Sequence, residues 1–589
     1  MTDAAVAIVG AGPVGLTLAL RLARLGIDTT LIEARSGPLR QGSKALCVQH
    51  AALTILDQLG AADDLVAEGR PWYVSRTRIR DIDVALKRFQ APDASPLPPF
   101  LNIQQWRTEE LLLDRVRRTG RTRELWSRRV TGLVQSDQAV TLMIDGPDGP
   151  EHLRARYVIG ADGIRSQVRE AAGIPWLGYS HADRFLIVDI DVGADLPHER
   201  QFLFDAPSNP GRQIVIHPQP GTMWRFDWQL PPDADVEAEQ ADGRLDARIR
   251  AIAGDRPWRI EWLSTYRFHQ RRAAAMRKGR VLLAGDAAHA FPPFGARGMN
   301  SGIQDADNLA WKLKLVLDGH AAPRLLDSYD VERGAAARDN LAITEATIRF
   351  MVPPDRARRA WRNGLLTLAR HWPPARAWVN SGRMSEPNRY PVTDDGVLVA
   401  GAGRAGSGRP QPGLPAPDAP VLVAGHATRL RQVMADAVLL LLLVGPDGAE
   451  LVTAATAVQR ALDATLPQVS GIAPGMAPTI RVACMPPTGA ALHGLPDGVL
   501  HVDDRQGMAT VAYAGRDPTL FALRPDGYVG GVVTQPDAAT VIALIMRVLA
   551  LNDQMAVDHG AVDHGNAGRS IGADGTTEGG GADGSAAAA

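Results

Sequence analysis

The stretch AVAIVGAGPVGLTLALRLARLGIDTTLIEAR, residues 5–35, decides the fold of this chain. It predicts a strand, a glycine turn, an amphipathic helix that ends near Gly26, and a second strand that ends at Glu33. These elements make a βαβ unit. The spacing of Gly10, Gly12 and Gly15 is typical of a tight turn in which bare backbone approaches a ligand and the helix packs closely on the strand.

The same stretch carries the residues expected of a nucleotide site. Backbone amides at the start of the predicted helix, together with the helix dipole, favour a bound pyrophosphate. Glu33 follows Gly15 by 18 residues, a position from which an acid reaches an adenosine ribose hydroxyl. We interpret the unit as part of a Rossmann-like dinucleotide-binding domain. A glycine turn that binds no nucleotide is the alternative.

Composition argues against several classes of partner. The chain has 589 residues, of which 45% are hydrophobic, so two or three domains are expected. Its formal net charge of -1 disfavours a nucleic-acid or membrane partner. The only cysteines, Cys47 and Cys484, form no CxxC pair and support neither a disulfide framework nor a cysteine metal site. No export signal is visible, and we expect a cytoplasmic protein.

Two blocks of β-like sequence interrupt the α/β pattern. The first begins at about Trp72, and the second runs from about residue 185 to residue 262. In the second block, RQIVIHP (212–218) and MWRFDWQL (223–230) predict a hairpin closed by residues 218–222. We expect both blocks to form one sheet. Alternation in the hairpin separates two sets of side chains and leaves open which of them faces a ligand: Trp224, Phe226 and Trp228, or Arg225, Asp227 and Gln229.

The C-terminal third has a different organisation. Residues 401–419 are rich in Gly and Pro and are typical of a linker. From Pro420 the pattern predicts a small α/β domain, in which VLLLLLV (438–444) is a buried strand, far shorter than the roughly 20 residues that span a bilayer. The tail at residues 556–589 predicts disorder, and we interpret its paired His559 and His564 as solvated rather than metal-binding.

Two further motifs place glycine and carboxylate together after strands. The first is YVIGADGIRSQVRE (157–170), which delivers Asp162 to a turn. The second is GRVLLAGDAAHAFPPFGARGMNSG (279–302), in which Gly285 and Asp286 follow an apolar strand. Glycine lets a ligand approach the backbone, and a carboxylate accepts hydrogen bonds from ribose-like or ribityl-like hydroxyls. One ligand could contact all three motifs.

Residues 4–390, with this ordered trio of motifs, resemble the class A FAD-dependent aromatic monooxygenases. The similarity is to hydroxylases of para-hydroxybenzoate, phenol and, closest in type, 3-(3-hydroxyphenyl)propionate. The resemblance implies an FAD site formed by Gly10, Gly12, Pro13, Val14, Gly15, Glu33, Ala34, Arg35, Lys44, Gln105, Val130, Asp162, Gly285, Asp286, Pro293, Gly295, Gly298, Met299 and Asn300.

The resemblance also implies which part of the cofactor each of these residues would contact. Asp162 would support both FAD and the nicotinamide donor, and Asp286 would bind the ribityl chain. The segment PPFGARGMNSG would lie along the isoalloxazine, with Pro292 and Pro293 beside the substrate. Amides at the start of the next helix would stabilise the negative charge of the reduced flavin. Lys44 stands where many relatives have arginine.

The implied chemistry uses neither a metal nor a nucleophilic side chain. NADH or NADPH would reduce FAD, O2 would form a C4a-hydroperoxide, and one oxygen would pass to a phenolic ring. The protein would polarise the phenol and exclude water. His217, Arg225 and His269 are candidates for contact with the substrate, although a structural hydrogen bond is the alternative for each. No catalytic base is assigned.

The resemblance implies an α/β architecture in which the FAD-binding domain is interrupted by the substrate sheet. The predicted FAD-binding domain comprises residues 1–71, 101–183 and 273–400, and the last of these segments includes a helical region. The predicted substrate sheet comprises residues 72–100 and 184–272. A linker at 401–419 and a thioredoxin-like domain at 420–551 follow. Since this last domain lacks CxxC, we expect a packing or homodimer role rather than thiol exchange.

Three functions remain open at this stage. The first is a phenol hydroxylase of aromatic catabolism that acts on a 3-(3-hydroxyphenyl)propionate-like substrate. The second is a tailoring hydroxylase of polyketide-like aromatics, which requires a wider cavity between sheet and flavin. The third is a flavin-binding assembly module without catalytic activity, which would show no NAD(P)H oxidation stimulated by aromatic compounds.

Removal of residues 556–589 is expected to leave NAD(P)H oxidation unchanged, because this tail has few large apolar side chains to pack against a domain. Steady-state rates of the full and shortened chains, compared at equal FAD content, measure the effect. Loss of turnover in the shortened chain would contradict the assignment of the tail.

Overall fold

The chain contains runs of consecutive strands as well as strands that alternate with helices. The structure, a computed structural model, describes residues 3–42, 45–193, 197–353, 355–379, 384, 386–393, 397–398, 409–470, 480–513, 515 and 517–551. The strands are β1 (Ala4–Val9), β2 (Thr29–Ile32), β3 (Cys47–Gln49), β4 (Arg70–Trp72), β5 (Val74–Ile79), β6 (Ile82–Arg88), β7 (Phe100–Asn102), β8 (Thr122–Leu125), β9 (Arg129–Gln135), β10 (Val140–Gly146), β11 (Gly149–Gly160), β12 (Trp176–Asp191), β13 (Arg200–Phe204), β14 (Gln213–Pro218), β15 (Met223–Leu230), β16 (Arg259–Ala273), β17 (Arg277–Lys278), β18 (Val281–Leu283), β19 (His289–Ala290), β20 (Pro420–Val423), β21 (His426–Arg429), β22 (Leu439–Val444), β23 (Ile480–Met485), β24 (Leu500–Asp503), β25 (Thr519–Leu523) and β26 (Val529–Thr534).

The helices pack on these strands. They are α1 (Pro13–Arg24), α2 (His50–Gln58), α3 (Ala62–Glu68), α4 (Gln105–Thr119), α5 (Gln167–Ala171), α6 (Val236–Ala241), α7 (Arg244–Ala253), α8 (Arg297–Leu317), α9 (Asp327–Met351), α10 (Arg356–His371), α11 (Leu430–Ala435), α12 (Gly448–Ser470), α13 (Met508–Tyr513) and α14 (Ala538–Val548). No helix within the described ranges is long and apolar enough to cross a membrane.

The predicted βαβ unit lies at the centre of the first sheet. Its strand order is β17-β18-β11-β1-β2-β8, and β1 pairs in parallel with both β11 and β2. Val9 lies beside Gly160, and Gly160 lies beside Leu283 of the parallel strand β18. The carboxyl ends of β1, β11 and β18 therefore meet at one edge, and each of the three glycine motifs begins there.

The second sheet joins the two β blocks. Its order is β19-β16-β12-β15-β14-β13-β5-β6, and the parallel pairing of β13 with β5 connects the block at residues 185–262 to the earlier one. The predicted hairpin is confirmed, since β14 and β15 pair in antiparallel fashion on either side of residues 219–222. One sheet therefore forms from segments that are distant in the chain.

The two faces of this sheet carry different side chains. Trp224, Phe226 and Trp228 are buried in one apolar cluster with side chains of α6 and α7. By alternation, Arg225 and Asp227 project from the opposite face. That face carries a second cluster, in which Phe185, Phe268 and other side chains pack against Phe294 and residues of α9 and α10. The charged hairpin residues thus share a face with Phe294 of PPFGARGMN (residues 292–300), the PPFG segment.

The C-terminal segment forms a mixed sheet of order β21-β20-β24-β23-β22-β25-β26. All residues of β22 are buried, which confirms the interpretation of the leucine run as a core strand. The mixed α/β class is confirmed, whereas the thioredoxin-like description and the predicted domain boundaries stay predictions. Lys44, residues 401–408 of the linker, His559, His564 and the tail lie outside the described residues.

A buried charge cluster connects the β25–β26 hairpin to α8 and α9. The Arg524 guanidinium donates to both carboxylate oxygens of Glu332, at 2.6 and 2.8 Å, and to Asp526 at 3.0 Å. Lys312 donates to Glu332 at 2.8 Å. Burial opposes ionisation of Glu332, but Arg524 and Lys312 outweigh it and hold the pKa of Glu332 at about 2. The hairpin is therefore joined to the rest of the fold by compensated charges.

Replacement of Arg524 by Met should destabilise the protein by about 3–5 kcal/mol, because the buried Asp526 would lose its ion pair and Glu332 would be left with Lys312. Thermal or denaturant unfolding measures the loss. Arg505→Met is the matched control, since Arg505 is 75% exposed in its pair with Asp503 and should change stability by less than about 1 kcal/mol. Equal effects of the two substitutions would contradict this account of the cluster.

Candidate functional site

A cleft of about 540 Å³ opens where β1 and β11 end. It contains the turns that follow both strands, the end of β2 and the start of α4. The sequence-predicted site residues that line it are Gly10, Gly12, Glu33, Ala34, Arg35, Gln105, Val130 and Asp162. Residues from five separate segments of the chain thus meet around one space.

Glycine is required at two places in this cleft for different reasons. Gly10 has a φ of +107°, and a Cβ there would lie 2.4 Å from the Ala161 carbonyl oxygen, so only glycine fits this turn. A Cβ on Gly12 would meet no atom within 4 Å, although Gly12 lines the cleft. At Gly12 a side chain would therefore fill ligand space rather than clash with protein.

Glu33 is held rigidly at the end of β2. Its carboxylate accepts hydrogen bonds from the amide of Ala11 at 2.8 Å and the amide of Arg35 at 3.0 Å. Burial opposes its ionisation, but the Arg35 side chain and these amides outweigh that effect and lower its pKa. Arg35 also pairs with Glu109 at 3.2 Å. The acid at the predicted ribose position is thus ionised and oriented.

One carboxylate oxygen of Asp162 accepts a hydrogen bond within the described residues, and the other does not. Its Oδ2 accepts from the Val168 amide at 3.1 Å. Its Oδ1 is buried and has no hydrogen-bond partner among the residues that the structure describes. Burial raises the pKa of this carboxyl. An orphaned acceptor in the cleft is suited to a ligand hydroxyl.

In the third motif (residues 279–302), the turn from Gly285 to His289 is held to α8 by one buried carboxylate, that of Asp305. Asp305 accepts from the Gly285 amide at 3.0 Å, from His289 Nε2 at 2.7 Å and from Arg333 Nε at 2.6 Å. Burial opposes its charge, but His289 and Arg333 outweigh burial and hold the pKa of Asp305 at about 2. Both ends of the turn that contains Asp286 are therefore anchored.

Asp286 itself is exposed at the edge of the first sheet. A Cβ on Gly298 would lie 3.7 Å from its Oδ1, so the turn and the start of α8 approach each other closely. Val14 fills the space behind them, where a Cβ on Gly285 would lie 2.9 Å from the Val14 side chain. Asp286 also raises the pKa of Tyr266, after the larger effect of burial. Asp286 therefore lies between the first sheet and the second.

The PPFG segment is held from the opposite side by β3. Gln49 Nε2 donates to the Gly295 carbonyl at 2.7 Å, and the Gln49 amide donates to Asn300 Oδ1 at 2.8 Å. Pro292 is buried, whereas Pro293 is exposed beside it. Gly298 and Met299 are partly exposed at the first turn of α8. The segment presents accessible backbone while its ends are fixed.

The three candidate substrate residues do not lie together. His217 and Arg225 face each other on β14 and β15, and Arg225 donates to Asp189 at 2.7 and 2.8 Å. His269 contacts the Ser180 hydroxyl at 2.8 Å at a partly exposed position of β16. Only the first two belong to the face that carries the aromatic cluster around Phe294.

Sequence reasoning missed several residues of this region. Glu109 lies one helical turn after Gln105, so periodicity could have indicated it. Trp262 of β16 lines the cleft, and no local pattern singles it out. Asp305 and Arg333 lie within helices, where they look like ordinary surface charges. Long-range contacts alone identify the last three.

Comparison with known proteins gives consistent similarities. The FAD binding domain family matches residues 3–344. A 3-(3-hydroxy-phenyl)propionate/3-hydroxycinnamic acid hydroxylase of Mycolicibacterium smegmatis is 33% identical over 394 residues, 65% of this chain and 68% of that enzyme. The 6-methylpretetramide 4-monooxygenase of Streptomyces rimosus is 36% identical over 56% of this chain and 58% of its own. The structure of aklavinone-11 hydroxylase with FAD and aklavinone matches with a TM-score of 0.71 and 25% identity, over 93% of this chain and 99% of the other.

The cleft residues fit the group that these similarities imply. The open backbone at Gly12 leaves room for a pyrophosphate, Glu33 is ionised where an adenosine ribose is expected, and the free Asp162 oxygen can accept from a hydroxyl. The cleft thus offers contacts to both the phosphate and the sugar parts of FAD.

Gly12→Val should abolish FAD binding, because its side chain would occupy the space left for the pyrophosphate without disturbing the apo fold. The flavin absorbance of the purified protein measures the effect. Gly364→Val is the control, since a Cβ at Gly364 also meets nothing within 4 Å but lies on an exposed helix away from the cleft. Stoichiometric FAD in Gly12→Val would refute the assignment.

Proposed function

The chain belongs to the family of FAD-dependent aromatic monooxygenases, and on that premise we propose that it hydroxylates a phenolic ring with O2, using NADH or NADPH as the electron donor. When bound, FAD supplies the redox chemistry: it accepts a hydride from the nicotinamide and activates O2 for transfer of one oxygen atom. The chain's own residues hold this cofactor, orient the phenol and exclude water.

The observation that carries the proposal is the inner face of the second sheet. Phe185 and Phe268 stack with centroids 4.1 Å apart, and Phe268 meets Phe294 of the PPFG segment edge to face at 5.1 Å. On the same face Arg225 and Asp227 supply charge. A surface that combines aromatic walls with a few buried polar groups suits a small aromatic ligand with a hydroxyl.

The residues at the third motif would set the position of the reacting ring. Asp286 is exposed toward this region and would hold the ribityl chain, while Pro293 would border the substrate. Backbone at Gly298 and Met299, at the positive end of α8, would stabilise negative charge on the pyrimidine side of the cofactor. None of these roles requires movement of the anchored turn.

A monocyclic phenol that resembles 3-(3-hydroxyphenyl)propionate is the first candidate substrate. The similarity to the Mycolicibacterium smegmatis hydroxylase supports it, because that match extends over 394 residues and 68% of that enzyme. Aromatic catabolism would be the corresponding role.

A tailoring hydroxylase of polyketide-like aromatics is the second candidate. It is favoured by the match to aklavinone-11 hydroxylase, which extends over 93% of this chain and so includes the C-terminal sheet. The third possibility, a flavin-binding module without activity, is set aside because the relatives are monooxygenases.

One experiment separates the two substrate classes. The purified yellow protein is assayed for NAD(P)H consumption with monocyclic phenols and with polycyclic phenols, and each product is identified by mass for the gain of one oxygen. Preferred hydroxylation of the monocyclic series supports the first candidate, and preferred hydroxylation of the polycyclic series supports the second. NAD(P)H oxidation without any hydroxylated product would overturn both.

A suitable phenol should accelerate flavin reduction at least about tenfold, equivalent to about 1.4 kcal/mol of barrier, because reductant used without substrate is lost to O2 as hydrogen peroxide. Stopped-flow reduction by NAD(P)H, with and without the best phenol, measures this. Asp286→Ala should lose the stimulated rate through weakened cofactor positioning. Equal rates with and without phenol in the unmodified protein would show that substrate does not control reduction.

A further inference from the structure

A row of polar side chains crosses the inner face of the second sheet. Asp189 of β12 lies beside Arg225 of β15, and Arg225 lies beside His217 of β14. Arg200, the first residue of β13, continues the row, since its neighbour Gln201 pairs with Ile216. Asp227 projects from the same face two residues after Arg225. Four adjacent strands thus place five ionisable groups together.

Within this row the charge of Arg225 is compensated. Its guanidinium donates to both carboxylate oxygens of Asp189 at 2.7 and 2.8 Å, and both side chains are almost fully buried. This bidentate pair is a structural element that leaves neither charge available to a ligand.

Arg200 is different, because it is a buried cation that forms no ion pair with any residue that the structure describes. It is 4% exposed, and its guanidinium lies over the Phe202 ring at 4.1 Å. Its Nη1 contacts the Met384 sulfur at 3.2 Å. Its Nε is buried and has no partner, and no carboxylate of the described chain lies within ion-pair distance of it. Such a group is costly unless a ligand accepts from it.

Asp227 and His217 leave two further atoms unsatisfied. Asp227 Oδ2 lies 3.6 Å from His217 Nε2. Asp227 Oδ1 and His217 Nδ1 are both buried and have no partner among the described residues. The three side chains therefore present unused hydrogen-bonding atoms, including a cationic donor and an acceptor, on one sheet face.

This set lies beside the regions assigned to cofactor and substrate. The Arg225 guanidinium lies 5.7 Å from the ring centroid of Trp262, and Trp262 lines the FAD cleft. Met384, the contact of Arg200, belongs to an apolar cluster with Ala296 of the PPFG segment. Met384 also lines a second cavity of about 370 Å³. The unsatisfied atoms thus lie close to the segment that would border the isoalloxazine.

The combination of donor and acceptor selects the ligand group. A carboxylate would satisfy Arg200 but would face the carboxylate of Asp227, and an ether cannot donate to Asp227. A hydroxyl both accepts from Arg200 and donates to Asp227, and an acidic hydroxyl can also lose its proton there. Resting on the function proposed above, we propose that Arg200, His217 and Asp227 form the subsite for the phenolic hydroxyl of the substrate, with Asp227 as its proton acceptor.

The proton transfer balances within this set. The phenolic O–H bond breaks, its proton binds Asp227, and the electron pair remains on the phenolate oxygen beside Arg200. Burial raises the pKa of Asp227 to about 7, although Arg225 and Arg200 favour its charged form and Asp189 opposes it. Burial and the two arginines lower the pKa of His217, so it stays neutral. Asp227 is therefore the base, active above its pKa.

The first test measures recognition without turnover. FAD-loaded protein is titrated with phenol and with anisole, its methyl ether, and binding is followed by perturbation of the flavin spectrum. The phenol should bind at least about tenfold more tightly than the ether, as expected for hydrogen bonds to charged groups. Arg200→Met should lose most of this preference.

The second test measures proton acceptance. In the unmodified protein, kcat/KM for a weakly acidic phenol should fall as pH decreases through about 7. Asp227→Asn should lose this dependence and be slowed at least about a hundredfold, with its rate rising as the free phenol ionises. Phenols that are already ionised at the assay pH should be affected far less.

Arg259→Met and Asp191→Asn are the matched controls, since these residues form a pair 3.8 Å apart at the ends of β16 and β12, with side chains 75% and 31% exposed. Both should keep the binding preference and the pH profile. FAD content and melting temperature identify variants that fail to fold. If Arg200→Met fails to fold, Arg200→Lys takes its place. This variant keeps the charge and should retain part of the preference for phenol over ether.

Two results would overturn the subsite. One is equal binding of phenol and ether by the unmodified protein, and the other is an unchanged pH profile in Asp227→Asn. Failure of the proposed function looks different: the phenol preference would persist and depend on Arg200, while no phenol would be hydroxylated.

Discussion

The buried carboxylate of Asp305 is the group on which the rest of the site depends. It accepts hydrogen bonds from the amide of Gly285 and the ring of His289, which are the two ends of one short turn. A carboxylate is stable in such a place only when cations and donors compensate it, and Arg333 supplies the cation. The position of Asp286 at the edge of the first sheet follows from this pair.

The same constraint extends to the C-terminal sheet. Arg333 donates to the Tyr390 hydroxyl at 3.1 Å, and Tyr390 stacks on Tyr528 of the β25–β26 hairpin with centroids 4.0 Å apart. The hairpin in turn carries Arg524, whose charge is neutralised by Glu332 of α9. A continuous series of buried contacts therefore runs from this hairpin to the turn at the third motif. Packing of the C-terminal segment and geometry of the cofactor region are parts of one structure.

The two faces of the second sheet differ in composition. One face buries tryptophans against α6 and α7 and supplies the apolar area that holds the sheet together. The other face combines stacked phenylalanines with charges that are only partly compensated. Because unsatisfied buried polar groups are costly, those of Arg200, His217 and Asp227 support our proposal that this face binds a ligand.

Local sequence determined the class of fold, the family and several residues that line the cleft, because a strand followed by a glycine turn and a helix is specified within about 30 residues. Alternation in the hairpin also separated Trp224 from Arg225, yet it could not tell which side would face a ligand. Only the tertiary structure decided that, since the burial of each face depends on helices distant in the chain. The pairing of Asp305 with Arg333 likewise arises from contacts between segments that sequence spacing does not relate. The same holds for Arg200, which has no carboxylate partner among the described residues.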